Sequence, residues 1–299
     1  MFFNFLFKHR VSKRPENPYI TGGSVGDSPA FIGRADILQL ANNILCHSQE
    51  NAVVLFGQRR IGKTSVLTQL KAKLAEQENY QSIYLNLMDN AHQPLDILLN
   101  DLTDTICQEL QIKYPQWNNT KEQFNNWLKA LLNEQLAEKS LVLLFDEFDA
   151  FNDMKEPIRE EFVNYLKVLL SINTKRLNIF FTIGCDINDF KVAWALFENI
   201  SHYPVSILEK EETYKLIRLS ENNQSLFWSD DAVNKVWKLT NGHPLLTQLL
   251  CSCLWEQAWS QNPTKIPIIT PQQVDIDRIA SSDLPACQIA IATLANEQK

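Results

Sequence analysis

The chain has 299 residues, of which 45% are hydrophobic and 21% are charged, and its formal net charge is −7 with an isoelectric point near 5.3. This length suits two or two and a half domains, and the composition is that of an ordinary soluble globular protein with ample core material. A net negative charge disfavours extensive binding to nucleic acid, although the net charge does not exclude a local basic face.

The N-terminal tail, residues 1–30, is predicted to precede the folded part. Its first ten residues place basic side chains after an apolar run that is far too short to span a bilayer. Such a run offers a weak membrane-surface anchor at most, so we disfavour a membrane partner. Residues 15–30 are rich in Pro, Gly and Ser, which predicts an extended lead-in.

Strand-like and helix-like patterns alternate through residues 31–208. The predicted strands are residues 52–56, 80–88, 140–149, 177–183 and 204–208, and the predicted helices are residues 36–47, 94–112, 121–138, 156–171 and 187–199. This alternation predicts an α/β fold whose parallel sheet is covered by helices on both sides.

The predicted strands stop after residue 208. Residues 209–262 form a helical part with helices at 210–219, 231–239 and 244–259, and residues 263–299 form a polar connector with one or two further helices. The six cysteines show no metal-ligand spacing, so we predict buried or idle thiols in a reducing compartment. They are Cys46, Cys107, Cys185, Cys251, Cys253 and Cys287.

A phosphate-binding pattern, G-x-x-x-x-G-K-[ST], begins directly after the predicted strand 52–56. Chance gives roughly 0.01 matches in a chain of this length. The glycines let successive N–H groups converge on phosphate oxygens, and the helix that follows adds the positive end of its dipole. Lys63 would reach the β- and γ-phosphates, and the Thr64 hydroxyl would ligate Mg²⁺. The predicted nucleotide ligands here are Gly57, Gln58, Arg59, Arg60, Ile61, Gly62, Lys63, Thr64 and Ser65. Either Arg59 or Arg60 helps to neutralise phosphate, or both pair with surface acids.

An acidic pair, Asp146 and Glu147, ends the apolar strand that begins at residue 140. Ligands of parallel sheets bind at the carboxyl ends of the strands, so Asp146 is placed to hold Mg²⁺ through water. Glu147 is placed to polarise an attacking water as general base. Asp149 and Asp153 are interpreted as acids of a solvated loop. Thr182 either hydrogen-bonds the γ-phosphate or the attacking water, or is a satisfied strand threonine.

Four segments occur in one order, and together they resemble the STAND-type signalling ATPases and the closely related archaeal-type AAA-like ATPases. They are residues 31–34 (Phe-Ile-Gly-Arg), 57–65, 143–148 (Leu-Leu-Phe-Asp-Glu-Phe) and 239–245 (Leu-Thr-Asn-Gly-His-Pro-Leu). The resemblance covers about residues 28–258. It implies a core of five parallel strands, a helical lid formed by residues 209–262, and then a winged-helix module that begins in residues 263–299. It also implies that Arg34, Gly242, His243 and Pro244 contact the nucleotide.

The sequence departs from this family pattern in two places. The acid that usually lies three residues after the family's Gly-Arg is shifted to Asp36, and no arginine occurs between Arg176 and Arg218. Many AAA-type rings carry an arginine finger in this stretch, and here that arginine is missing. Slow turnover or a nucleotide-held switch therefore suits this sequence better. The chain also ends at Lys299, where a winged helix would be only beginning, which predicts a truncated or minimal version.

We therefore predict a cytoplasmic, ATP-binding and slowly ATP-hydrolysing regulatory NTPase with ATP or ADP and Mg²⁺ as cofactors. Self-association or an effector protein is the expected partner. Adenine is favoured over guanine because the chain has no Asn-Lys-x-Asp motif. The alternatives are a DNA-associated AAA-like ATPase and an inert scaffold in which nucleotide only holds the fold. A small-molecule kinase is disfavoured because no acceptor-substrate motif is present.

Overall fold

The structure is a computed structural model of the whole chain, and it describes residues 14–47, 50–88, 93–116, 120–136, 138–153, 158–172, 175–184, 200–261 and 263–297. The chain forms two compact units. Arg34–Ser206 make up the first, the sheet unit, whereas Met1–Gly33 and Ile207–Lys299 together make up the second, the helical unit.

A five-stranded parallel sheet forms the centre of the sheet unit, with the strand order β2-β3-β4-β1-β5. The strands are β1 (Ala52–Phe56), β2 (Tyr80–Asn86), β3 (Ser140–Asp146), β4 (Leu177–Ile183) and β5 (Ser201–Pro204). Every residue of β4 is buried, and so is all of β3 except its first residue, as expected for inner strands of a covered parallel sheet. The predicted α/β fold with five parallel strands is confirmed.

Helices cover this sheet at positions close to those that the sequence predicts. They are α1 (Ala35–His47), α2 (Lys63–Ala75), α3 (Leu95–Leu110), α4 (Lys121–Ala130) and α5 (Ile158–Ser171), with a 3-10 helix at Phe148–Asp153. The predicted helix 121–138 changes character part-way, because α4 continues as a π-helical turn over Leu131–Gln135. The predicted helix 187–199 lies outside the described residues.

Three strand ends differ from the sequence predictions, and the first is that β2 ends at Asn86 rather than at residue 88. The strand predicted at 204–208 instead ends at Pro204, since its pairing with β1 runs from Ser201 to Pro204. The apolar residues that follow, Val205 and Leu208, are buried without being in a strand. β3 ends at Asp146 rather than 149 because Glu147 has a left-handed backbone with φ 55°, which cannot continue a strand.

The helical unit contains six helices among its described residues. They are α6 (Lys210–Ile217), α7 (Leu219–Asn222), α8 (Asp230–Thr240), α9 (Pro244–Ser260), α10 (Ile276–Ala280) and α11 (Pro285–Glu297). The prediction that strands stop after residue 208 is wrong in one detail. Two-residue strands β6 (Phe227–Trp228) and β7 (Ile268–Ile269) pair in parallel here.

The lead-in is an integral part of the helical unit. The Tyr19 side chain is buried, and its hydroxyl donates to the Ile217 carbonyl at 2.5 Å. The backbone N–H of Ile20 donates to the Gln248 side chain in α9 at 2.9 Å. Composition predicts the extended backbone of this segment, but the single buried tyrosine that anchors it carries no comparable signal.

The prediction of six thiols is wrong for two of the cysteines. Cys253 in α9 and Cys287 in α11 form a disulfide, while Cys107 and Cys251 are buried free thiols and Cys46 is an exposed one. Cys185 lies outside the described residues. No helix in the described ranges combines the length and apolar character needed to cross a membrane.

Candidate nucleotide-binding site

The phosphate-loop pattern lies where β1 ends and α2 begins. A Cβ atom on Gly57 would lie 2.3 Å from the Val205 carbonyl oxygen, so only glycine fits at this close approach of two backbones. Gly62 has a left-handed backbone with φ 103° and precedes the first residue of α2. The helix has neither a side-chain cap nor an acidic residue in its first turn. Its first N–H groups are therefore suited to an anion.

The Lys63 side chain is buried inside the loop that precedes it, which begins at Gly57. Its ammonium donates to the Gly57 carbonyl at 3.0 Å and to the Gln58 carbonyl at 2.9 Å. The loop thus curls around its own lysine, which holds a positive charge at the mouth of the helix. Such a cradle fits the phosphates of a nucleotide, with the cation and the helix N-terminus converging on one place.

Arg34 reaches the same loop from the start of the sheet unit. Its backbone is left-handed with φ 65°, its side chain is buried, and its guanidinium donates to the Ile61 carbonyl at 3.0 Å. The structure therefore brings Arg34 to the phosphate loop, 27 positions along the chain. The Ile61 side chain is also buried, which leaves Gln58, Arg59 and Arg60 as the exposed part of the loop.

Asp146 occupies the carboxyl end of β3, and its side chain is only 1% exposed. Oδ1 accepts hydrogen bonds from the Thr182 hydroxyl and, at 3.1 Å, from the Glu147 backbone N–H. Oδ2 accepts from the Tyr84 hydroxyl at 2.8 Å. None of the described lysines or arginines forms an ion pair with Asp146. Among the described residues, its hydrogen bonds therefore come from neutral donors alone.

Thr182 joins the two acids through one hydroxyl. This hydroxyl donates to Asp146 and accepts the Glu147 backbone N–H at 3.0 Å, and the residue is fully buried in β4 next to β3. The arrangement fixes the turn at which β3 ends. Glu147 itself has a left-handed backbone in this turn.

The Glu147 carboxyl has a raised pKa. Burial is the largest cause, followed by the charges of Asp146 and Asp149, while Lys63 and Arg59 act in the opposite sense. Two consequences follow. Glu147 lies within electrostatic range of the phosphate loop, and its basicity is greater than that of a solvated glutamate. Both properties suit a general base.

A match to a known domain covers most of this region, although not Arg34. Residues 46–189 match the AAA domain. This stretch begins just before β1 and contains the phosphate loop, Asp146, Glu147 and Thr182.

Solved structures agree with this assignment at the level of the fold. A Walker-type ATPase of Pyrococcus abyssi has a TM-score of 0.61 at 14% identity, over 90% of this chain and 75% of that one. Cdc6p from Pyrobaculum aerophilum has a TM-score of 0.59 at 15% identity, over 90% and 83%. Drosophila ORC bound to DNA has a TM-score of 0.56 at 14% identity, over 88% and 66%. No curated protein sequence matches the chain significantly.

Of two further residues in the matched region, Asp149 differs from its sequence interpretation, and Arg59 follows one of the two alternatives that the sequence leaves open. Asp149 is not a solvated loop acid, because its carboxylate accepts the Gly184 backbone N–H at 2.7 Å and its side chain is 11% exposed. Arg59 is 78% exposed and lies 3.9 Å from Asp149, so it pairs with an acid in this structure. The side chain of Asp153 lies outside the described part of the chain.

Tyr84 is a site residue that sequence reasoning missed. It lies on β2, two residues before the strand ends, and its hydroxyl reaches a carboxylate 62 positions away. The proximity of Asp146 and Glu147 adds to burial in raising the pKa of the Tyr84 phenol, so the hydroxyl remains a donor. Only the order of the strands reveals this contact, because a tyrosine in a strand is common.

The segment 242–244 has structural roles inside the helical unit. A Cβ on Gly242 would lie 2.4 Å from the Leu208 carbonyl oxygen, and the Gly242 carbonyl accepts the Leu208 N–H at 2.9 Å. His243 caps α9 through Nδ1, which accepts the Leu246 N–H at 3.4 Å, and Pro244 occupies the first turn. The nucleotide contact of these residues stays a prediction.

The residues present also fit a magnesium ion. The described residues contain no group of three or more His, Cys, Asp or Glu side chains that could hold a metal. Mg²⁺ does not need such a cage, because it binds through one or two carboxylates together with phosphate and water oxygens. A buried carboxylate with only neutral donors, at the same sheet edge as the phosphate loop, supplies the required kind of ligand.

Proposed function

We propose that this chain is an ATP-binding NTPase that hydrolyses ATP slowly and acts as a nucleotide-dependent switch or assembly module. One observation carries the proposal: the loop that curls around Lys63 directly follows β1 and the acidic pair ends β3, so both lie at the carboxyl edge of one parallel sheet. The match of residues 46–189 to the AAA domain supports it.

The nucleotide ligands would be the residues of the phosphate loop. The N–H groups from Gly57 to Ser65 would bind phosphate oxygens, Lys63 would exchange its carbonyl contacts for phosphate, and Arg34 would keep the loop in shape through Ile61. Thr64 and Asp146 would hold Mg²⁺, which when bound neutralises part of the phosphate charge.

Glu147 would act as the general base of hydrolysis. Burial and nearby acids raise the pKa of Glu147 towards the pH at which the enzyme works, and a base transfers protons most effectively when the two are close. Thr182 would position the Glu147 backbone through the shared hydroxyl. Slow turnover is proposed because residues 177–217 contain no arginine that could serve a neighbouring molecule as a finger. A slow enzyme remains in its ATP-bound state long enough to serve as a switch.

The regulatory part of the proposal comes from the resemblance to the STAND-type signalling ATPases. It comprises the nucleotide contact of Gly242, His243 and Pro244, the signalling role, and self-association or an effector protein as partner. We also propose a cytoplasmic location. Measuring ATP turnover together with nucleotide affinity distinguishes the inert scaffold from the switch, because a scaffold binds nucleotide tightly and does not hydrolyse it.

The test compares matched lysine variants on α2. Lys63→Ala should abolish nucleotide binding, whereas Lys71→Ala, which removes a partly exposed ion pair with Glu109, should leave the affinity unchanged. Glu147→Gln should bind ATP and fail to hydrolyse it. The measurements are identification of the copurifying nucleotide, titration with a fluorescent ATP analogue, and single-turnover hydrolysis. Equal affinity in the two lysine variants would refute the site.

A DNA-associated ATPase is the second candidate, and one observation favours it: the fold similarity to Drosophila ORC, which was solved bound to DNA. The net charge of −7 argues against it, because phosphate contacts provide most of the affinity for DNA. Binding of the purified chain to duplex DNA that weakens steeply between about 50 and 200 mM salt would favour this candidate.

A further inference from the structure

We propose that Tyr84 is a positioning residue that holds the metal-binding carboxylate of Asp146 in its orientation. The inference deepens the proposed function and rests on it, because it concerns the same site. It assigns a role to a tyrosine that no sequence motif includes.

The sheet places Tyr84 beside Asp146. β2 is the edge strand next to β3, and their register pairs Asn86 with Asp146. Tyr84 lies two residues before Asn86 and therefore on the same face of β2. From there its hydroxyl donates to Oδ2 of Asp146 at 2.8 Å, while Thr182 donates to Oδ1 from β4 on the other side of β3. Hydroxyls from both neighbouring strands thus hold one carboxylate.

The hydrogen bonds limit how the carboxylate can move. An ionised carboxylate has about four acceptor positions, and its final torsion is soft unless hydrogen bonds fix it. The Thr182 hydroxyl and the Glu147 N–H occupy Oδ1, and Tyr84 is the donor to Oδ2 among the described residues. About one acceptor position remains for a water on the metal. Without Tyr84, Oδ2 would lose its fixed place.

The test removes one oxygen atom and keeps the ring. Tyr84→Phe is compared with Tyr80→Phe, because Tyr80 lies on the same strand but its hydroxyl contacts Cys46 and the Leu45 carbonyl instead. Binding of Mn²⁺, a paramagnetic substitute for Mg²⁺, is measured by electron paramagnetic resonance on the ADP-loaded full chain. ADP affinity is measured separately in EDTA.

We expect Tyr84→Phe to weaken Mn²⁺ binding by about 10-fold or more, as is usual when the partner of a metal ligand is removed. ADP affinity in EDTA should stay the same, because the phosphate loop makes those contacts. Tyr80→Phe should change neither quantity. A purely structural role for Tyr84 would instead lower the ADP affinity in EDTA, which would overturn the proposal.

Other outcomes also decide the question. Unchanged or tighter Mn²⁺ binding in Tyr84→Phe would show that the hydroxyl does not position the carboxylate or that it competes with the metal. If the wild-type chain binds ADP but no Mn²⁺, the positioning role falls while the nucleotide site stands. If the wild-type chain binds no ADP, the proposed function itself fails.

Discussion

Replacing Thr182 by valine tests whether one buried hydroxyl organises the acidic end of the sheet. The substitution keeps the branched shape in β4 and removes two contacts, the hydrogen bond donated to Asp146 and the one accepted from the Glu147 N–H. We expect a loss of stability in the sheet unit together with slower ATP hydrolysis, because Glu147 loses part of its backbone support.

The size of the stability loss follows from these contacts. A hydrogen bond to a charged group contributes about 1.5–3 kcal/mol. The second contact adds little, since the Glu147 N–H keeps the Asp146 oxygen as acceptor at 3.1 Å. We therefore expect the free energy of unfolding to fall by about 2 kcal/mol, which lowers the melting temperature by about 4–8 °C for a domain of this size.

The assay is urea unfolding followed by circular dichroism, with Thr103→Val as the control. Thr103 is equally buried in the sheet unit, but its hydroxyl donates to the Leu99 carbonyl one turn earlier in α3. A helix gains little from such a bond, so the control should change by at most about 0.5 kcal/mol. If Thr182→Val loses no more stability than Thr103→Val, the shared hydroxyl does not organise the acids.

Three other predictions follow from single contacts. A raised pKa means that Glu147 favours folding in its protonated form, so its ionisation destabilises the fold as pH rises. Glu147→Gln should therefore be more stable than wild type at pH 8, with the difference shrinking towards pH 5 in urea titrations. Gly57→Ala should destabilise more than Gly62→Ala in thermal melts, because the first places a Cβ 2.3 Å from a carbonyl oxygen and the second meets no atom within 4 Å. Cys287→Ser should cost the helical unit about 2–4 kcal/mol under oxidising conditions and nothing extra in reductant; equal losses in both would contradict the bond to Cys253.

The sequence predicts the sheet unit well because its signals are local. Buried parallel strands appear as apolar runs, here in the predicted strands 140–149 and 177–183, and the structure places β3 within the first and β4 on the second. The phosphate loop is equally local, since nine consecutive residues carry the glycines, the lysine and the hydroxyls. Helix ends agree within about two residues where a cap is present, as at Ser229 before α8.

The contacts that complete the site are not local, and the sequence does not predict them. Tyr84 lies 62 positions from Asp146, and Gly184 lies 35 positions from Asp149. Each contact depends on which strands are neighbours and on their register, and neither follows from residue periodicity. The same reason explains the lead-in, because the burial of Tyr19 depends on helices about 200 positions away.

The two neighbouring carboxylates differ in a way that suits two roles. Asp146 is held at both oxygens by donors from three chain segments, so it does not have to reorganise when a cation arrives. Glu147 is tied only through its backbone, and among the described residues no hydrogen bond fixes its carboxylate. Its raised pKa suits a group that exchanges protons rather than one that holds a metal. The strands that flank this sequence pair thus give two adjacent acids different surroundings, as the two proposed roles require.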